Sequence, residues 1–176
     1  MSITTHETTL ESIFNRRSHR SFADKPLDEK TVRTIIQAGA AAPSAHGKKP
    51  YRFARIDRPD VIRAIVEKFP WFAAASRSAA NILVLGNPDL CVNKEYWVVD
   101  CAAAAENILL ASQSLGLGAV WLGIAPVEEN IRNFTPLVQI PDGFIPFSLI
   151  AIGHPDKPTD NRARPNVDEF LVSVGP

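Results

Sequence analysis

A cluster of basic side chains follows the first predicted helix. The run Arg16-Arg17-Ser18-His19-Arg20 places three arginines, an imidazole and a hydroxyl within five residues of a chain that carries 19 basic and 19 acidic residues. Arginine suits a phosphate ligand because its planar guanidinium donates paired hydrogen bonds and remains charged. The alternative is that these cations only complement the dipole at the carboxyl end of a helix. The spacing alone leaves both interpretations open.

Two further basic clusters lie downstream. Residues 42–51, with the sequence APSAHGKKPY, combine two prolines, a glycine, a serine, a histidine and two lysines, which predicts a loop. The plain alternative for this loop is a solvated connection with a surface histidine. A second basic pair, Arg162 and Arg164, lies in a proline-rich polar tail that is expected to be disordered or to wrap over another surface. Together, the three clusters suggest a local site for an anionic ligand.

The long stretch from Tyr96 to Ile124 is the element on which the rest of the chain is predicted to pack. Its first part, up to Leu115, lacks glycine and proline and is rich in Ala and Leu, so it predicts one buried helix. A membrane span would need about 20 nearly uninterrupted apolar residues, and three polar residues break this stretch. They are Asp100, Glu106 and Asn107.

Glycines and caps predict how the remaining elements begin and end. Gly116 and Gly118 are both expected to end the long helix through left-handed backbone, before a buried strand at Ala119–Ile124. The other predicted strands are Tyr51–Ile56, Asn81–Gly86 and Phe144–Ile152. The other predicted helices are Glu7–Asn15 with Thr4 or Thr5 as its cap, Glu29–Ala41 with Asp28 as its cap, Asp60–Lys68 and Val127–Asn133.

Composition limits the classes of protein that the chain can represent. A length of 176 residues with 45% apolar content fits one globular domain over residues 1–176, and the mixture of short strands with central and peripheral helices predicts the α+β class. Balanced charge gives no argument for binding nucleic acid or a membrane. Cys91 and Cys101 lie in different contexts and are expected to be free thiols. There is no metal-ligand cluster at a recognised spacing. There is no signal-peptide pattern either, so a cytoplasmic location is expected by default.

The chain resembles the nitroreductase family of flavin enzymes over nearly its whole length. Four stretches match that family's motifs in the same order. They are Arg16 to Phe22, the loop from Ala42-Pro43-Ser44 to Lys49-Pro50-Tyr51-Arg52-Phe53, the central helix with Gly116-Leu117-Gly118 and its strand, and the closing segment from Ile140-Pro141 to Gly153-His154-Pro155. The resemblance implies a nitroreductase-like α+β fold with a mixed, mainly antiparallel sheet flanked by helices. It also implies a long buried central helix and a C-terminal tail that reaches the partner subunit.

The same resemblance implies an activity and a cofactor. It predicts a homodimer with FMN at the subunit interface, and electrons passing from NAD(P)H through FMN to a small organic acceptor, such as a nitroaromatic or a quinone, by a ping-pong mechanism. A variant redox task on the same fold stays open, as does a flavin-binding carrier or sensor without turnover. We assign no catalytic side chain, because the cofactor carries the hydride.

Site residues follow from the resemblance, position by position. Arg16, Arg17, Ser18 and Arg20 would meet the ribityl chain, phosphate and pyrimidine edge, and Arg162 and Arg164 would complete the phosphate site. The backbone of Leu122, Gly123 and Ile124 would lie against the flavin ring, and Ser44 belongs to the loop that faces it.

The chain departs from the family pattern twice within this loop. Gly47 stands where the family commonly has Asn, and Lys49 stands where it commonly has Gln. An ammonium only donates hydrogen bonds and adds positive charge, whereas an amide both donates and accepts. Lys49 is therefore predicted to favour the reduced, anionic flavin and to raise its reduction potential.

Overall fold

A four-stranded antiparallel sheet, in the order β1-β2-β4-β3, forms the centre of the fold. The computed structural model describes residues 8–157 and 165–173. The strands are β1 Tyr51–Arg55, β2 Ala80–Gly86, β3 Gly118–Gly123 and β4 Ile145–Gly153. Every residue of β2 is buried, because this strand has a neighbour on each side and a packed layer on each face. The predicted strands are thus confirmed, with ends shifted by one residue.

In the described part of the chain, five α-helices surround the sheet in two layers. They are α1 Thr9–Asn15, α2 Glu29–Ala40, α3 Pro59–Lys68, α4 Trp97–Ser114 and α5 Glu128–Phe134. One face of the sheet packs with α2 and α4 in a first core, and the other packs with α3, α5 and the 3₁₀ segment Pro70–Ser76 in a second core. Shorter 3₁₀ turns lie at Ala45–Gly47, Pro88–Leu90, Lys94–Tyr96, Thr135–Leu137 and Val167–Glu169.

Helix α4 ends as the sequence predicts at one glycine and differently at the other. Gly116 has a φ of 71°, and its N–H and that of Leu117 donate to the carbonyls of Gln113 and Ser112, which forms a Schellman motif. The prediction for Gly118 is wrong, since this residue is the first of β3. Position 118 requires glycine for a different reason, because an added Cβ would lie 2.7 Å from the His19 side chain.

The first helix begins later than predicted. The structure starts α1 at Thr9 and caps it with Thr8, whereas the predicted start at Glu7 and the predicted caps Thr4 and Thr5 lie outside the described residues. The Thr8 hydroxyl accepts from the Glu11 N–H, and the Glu11 carboxylate accepts from the Thr8 N–H at 2.8 Å. This reciprocal capping box satisfies donors at the helix start that would otherwise lack partners.

Residues 8–157 and 165–173 contain no helix that is both long and apolar enough to cross a membrane. Helix α4 buries one side in the first core, and this side includes Cys101, Ala104 and Ile108. Both cysteines are free thiols, as predicted. Burial raises the pKa of the Cys101 thiol, which keeps it protonated at neutral pH.

We predict that Gly39→Ala destabilises the protein, although alanine is the better helix former by about 1 kcal/mol. A Cβ at position 39 would lie 2.8 Å from Cγ1 of Ile108, which is fully buried, and 3.0 Å from the ring of Phe53. Overpacking should outweigh the propensity and lower the free energy of unfolding by about 1–2 kcal/mol. Urea denaturation measures this, with the exposed Gln37→Ala on the same helix as control. Equal stability of both variants would contradict the prediction.

Candidate functional site

The basic segment between α1 and α2 runs along the outer edge of β3. Ser18 forms a parallel bridge with Ala119, and the His19 N–H donates to the Ala119 carbonyl at 3.0 Å. Farther on, Phe22 forms an antiparallel bridge with Pro155. The missing side chain of Gly118 is what lets His19 lie this close to the strand. The sheet therefore positions the arginine-bearing segment directly beside β3.

The three arginines of this segment have different surroundings. Arg16 contacts Glu106 of α4, with 3.4 Å between Nε and Oε1. Arg17 donates from Nη1 to the Phe14 carbonyl at 2.9 Å. This cation therefore does complement the dipole at the carboxyl end of α1, as in the alternative interpretation. Arg20 is exposed, and its Nη1 lies 3.5 Å from the Ser18 carbonyl. Arg20 is therefore the arginine of the segment with the weakest internal contact.

The histidine of this segment adds little charge at neutral pH. Burial lowers the pKa of His19, and the nearby Asp156 raises it by less. Ser21 contacts the same carboxylate through its hydroxyl. The positive charge of the segment is thus carried by its arginines.

The loop at residues 44–49 has an unusual backbone. His46, Gly47 and Lys49 have φ values of 53°, 66° and 47°, all in the left-handed region. The Ser44 hydroxyl accepts from the Lys49 N–H at 2.8 Å and closes the loop on itself. A buried carboxylate on α4 also holds it, since Oδ1 of Asp100 accepts from the Ala45 N–H at 3.0 Å.

The Lys49 side chain lies at the end of a helix. Its ammonium donates to the carbonyl of Ala40, the last residue of α2, at 3.2 Å. A cation at this position complements the negative end of the helix dipole. The side chain is exposed, so the ammonium can exchange this partner for another. Its predicted proximity to a flavin stays a prediction.

The end of β3 exposes main chain and hides side chains. Leu122 and Ile124 are buried in the second core, whereas Gly123 is exposed on the opposite face. The nearest atom to a Cβ added at Gly123 would be Nε1 of Trp121, at 3.8 Å. The Ile124 N–H is already used, because it donates to the Phe147 carbonyl at 3.1 Å. The accessible surface here is thus the backbone around Gly123, and its predicted contact with a flavin ring stays a prediction.

The two site segments attach to different sides of α4. The basic segment contacts it at Glu106 and the loop contacts it at Asp100, six positions earlier. With 3.6 residues per turn, six positions correspond to roughly 9 Å along the helix and about 120° around it. The predicted phosphate ligands Arg162 and Arg164 lie outside the described residues.

Two buried polar groups escaped the sequence analysis as site features. Asp100 entered it only as a break in an apolar stretch, and Ser148 lay unnoticed in an apolar strand. Ser148 pairs with Gly123 across the sheet, and its fully buried hydroxyl has no hydrogen-bond partner in the described part of the chain. A polar residue within an apolar run was the available signal in both cases.

The residues fit an FMN group in their chemistry. Arg16, Arg17 and Arg20 are the kind of donor that a phosphate monoester requires. The exposed glycine of β3 leaves open the space that a Cβ would fill, so a flat ring can approach the main chain there.

Comparisons with known proteins agree with this fit. The protein-family model described as "Nitroreductase family" matches residues 13–88 and 92–154 of the sequence. A provisionally named NADH dehydrogenase/NAD(P)H nitroreductase from Archaeoglobus fulgidus is 34% identical over 155 residues, which is 88% of this chain and 89% of that protein. A crystal structure of a similarly named protein from Parabacteroides distasonis superposes with a TM-score of 0.88 at 30% identity, covering 97% of this chain and 99% of the other.

A second solved structure includes a ligand. It is a provisionally named nitroreductase from Desulfovibrio desulfuricans in complex with FMN, 30% identical, with a TM-score of 0.80 over 98% of this chain and all of that one. These likenesses extend over most of the sequence and over the whole sheet and its helices, and the predicted α+β fold is confirmed. The chain belongs to the nitroreductase family.

Proposed function

We propose that this protein is an FMN-dependent oxidoreductase. It moves electrons from NAD(P)H through FMN to an organic acceptor, such as a nitroaromatic or a quinone, and the donor and acceptor use the site in turn. The observation that carries the proposal is the exposed Gly123 backbone at the end of β3, the strand along which the arginine segment runs. The FMN in the Desulfovibrio desulfuricans structure and the NAD(P)H in the name of the Archaeoglobus fulgidus relative support it.

Each part of the chain has a separate task in this proposal. Bound FMN supplies the hydride and electron chemistry, so no side-chain acid or base is required. The arginines of residues 16–20 bind and orient the phosphate through charge-assisted hydrogen bonds. Leu122 and Ile124 pack in the second core and so fix the position of the Gly123 backbone between them. The 44–49 loop supplies Ser44, Gly47 and Lys49 to the ring side of the site.

We also propose a homodimer. The 44–49 loop and the arginine segment attach about 120° apart around α4. A binding site that uses both segments is therefore easier to form from two copies of the chain than from one. Large apolar side chains exposed on α1, α4 and residues 165–173 support this: Leu10, Phe14, Val99 and Phe170. A stable, flavin-loaded monomer in sedimentation at low protein concentration would contradict it.

The second candidate function is a flavin-binding carrier or sensor without turnover. The absorption spectrum of the purified protein tests flavin binding, and NADH or NADPH oxidation tests turnover. We expect a yellow protein whose anaerobic NAD(P)H consumption requires an added nitroaromatic or quinone. A yellow protein with no acceptor-dependent NAD(P)H oxidation would favour the carrier, and a colourless protein that does not take up added FMN would overturn both.

We predict that Arg20→Ala weakens FMN binding by about 1–3 kcal/mol, the range for losing a hydrogen bond to a charged group. Among the described residues Arg20 has only a 3.5 Å contact, with the Ser18 carbonyl, so its removal should leave the fold intact. Riboflavin lacks the phosphate, so its affinity should not change. Fluorescence titration of both ligands measures this, with Arg33→Ala, which pairs with Glu29 on the exposed side of α2, as the matched control. Equal losses for both ligands would contradict the assignment.

We predict that Lys49→Gln lowers the midpoint potential of bound FMN. At roughly 4 Å and an effective dielectric constant of about 20, an ammonium attracts an anion by about 4 kcal/mol before desolvation and screening. For two electrons, a net 1.4 kcal/mol corresponds to about 30 mV. Lys48→Gln, in the same loop, is the control. Spectroelectrochemical titration decides, and an unchanged potential in Lys49→Gln would show that the ammonium stays on the Ala40 carbonyl.

A further inference from the structure

The 44–49 loop holds a conformation that its residues do not favour. His46 and Lys49 carry side chains, yet both have φ values in the left-handed region, at 53° and 47°. Side chains other than glycine are disfavoured there, because Cβ approaches the following carbonyl oxygen. Such residues persist only where the surrounding structure imposes the conformation. The contacts that impose it therefore control the shape of the loop.

The contacts within the loop are local and exposed. The Ser44 hydroxyl and the Ala40 carbonyl accept from the N–H and the ammonium of Lys49. Both bonds face solvent, so water competes with them. They close the loop and reach the end of α2, but neither bond is buried.

Asp100 provides the attachment to the core. Its side chain is 5% exposed, lies in the first turn of α4 and accepts from the Ala45 N–H through Oδ1 at 3.0 Å. This bond spans 55 positions of sequence, and its acceptor is part of the central helix. A charged acceptor makes a stronger bond than a neutral one, and the amino end of a helix favours a negative charge.

The second oxygen of Asp100 makes the residue costly. Oδ2 is buried and has no hydrogen-bond partner among residues 8–157 and 165–173. Burying a carboxylate with an unsatisfied oxygen is unfavourable, so stability alone is a poor reason for an acid at this position. The bond to the loop is the contact that distinguishes Asp100 from an apolar residue in the same place.

We infer that Asp100 is a positioning residue of the flavin site: its buried carboxylate holds residues 44–49 in the left-handed conformation that presents Ser44, Gly47 and Lys49 to the ring. This inference rests on the proposed function, because the loop is assigned to the ring there. Asp100 acts through the Ala45 N–H and itself contacts neither flavin nor substrate.

Amide hydrogen exchange of the ligand-free protein tests the first half of the inference. In Asp100→Ala, the Ala45 amide should exchange about tenfold faster or more, since a bond to a charged group is lost. Asp100→Asn keeps an acceptor of the same shape and should restore most of the protection. An Ala45 amide that is unaffected in Asp100→Ala, or an Asn variant that behaves like the Ala variant, would overturn the role of the hydrogen bond.

FMN affinity tests the second half, on variants that remove the bond from either side. Ala45→Pro deletes the donor at the first position of a 3₁₀ turn, and Ser44 before it has the extended backbone that a proline requires. Asp100→Ala and Ala45→Pro should each weaken FMN binding by about tenfold, and the double variant should be no weaker than either one. Additive losses, or unchanged FMN affinity in both single variants, would overturn the inference.

A matched control separates positioning from general destabilisation. Ser112→Ala removes another buried polar group from α4, and within residues 8–157 and 165–173 this hydroxyl bonds only to the Ile108 carbonyl of its own helix. It should lower the melting temperature without changing Ala45 exchange or FMN affinity. If Asp100→Ala does not fold, the Asn variant and Ala45→Pro still decide the outcome. A wild-type protein that binds no FMN would instead reject the proposed function, and the exchange measurement would still report on the loop.

Discussion

The close packing of helix α4 against α2 and the sheet is the constraint on which the rest of the structure depends. Two glycines make it possible. Gly39 lies against Ile108 and Gly86 lies against Trp97 and Cys101, in each case with no room for a Cβ. Because α4 is fixed in this way, Asp100 and Glu106 have defined positions, and the loop and the arginine segment take their positions from them.

Most of the fold could be predicted from local patterns in the sequence. Asp28 caps α2 as predicted, and β2 begins one residue before its predicted start, because both features depend on neighbours in the chain. The observed cap of α1 was not predicted although Thr8 and Glu11 form a capping-box pattern, because two earlier threonines, Thr4 and Thr5, offered alternative caps. Gly118 was misassigned because its reason is contact with His19, which is distant in sequence.

The sequence could suggest residues for the candidate site, but it could not give their arrangement. A family motif indicates which residues belong to it, whereas the bridge between Ser18 and Ala119 depends on how the chain folds back. The same holds for Lys49, whose ammonium finds a helix end, and for Asp100, whose partner lies in the loop. Long-range contacts of this kind leave no periodic signal, so only the folded structure could reveal them.

The exposed backbone at the end of β3 bears on how such a protein can acquire new substrates. Leu122 and Ile124 point into the second core, and the surface between them is a glycine. Mutation at Leu122 or Ile124 therefore alters packing, and mutation at Gly123 blocks the open space, so neither offers a graded change of recognition. Under the proposed function, differences in the acceptors that are used would therefore arise from the loops and, in the proposed homodimer, from the surface of the second copy, with the end of β3 unchanged beneath the ring.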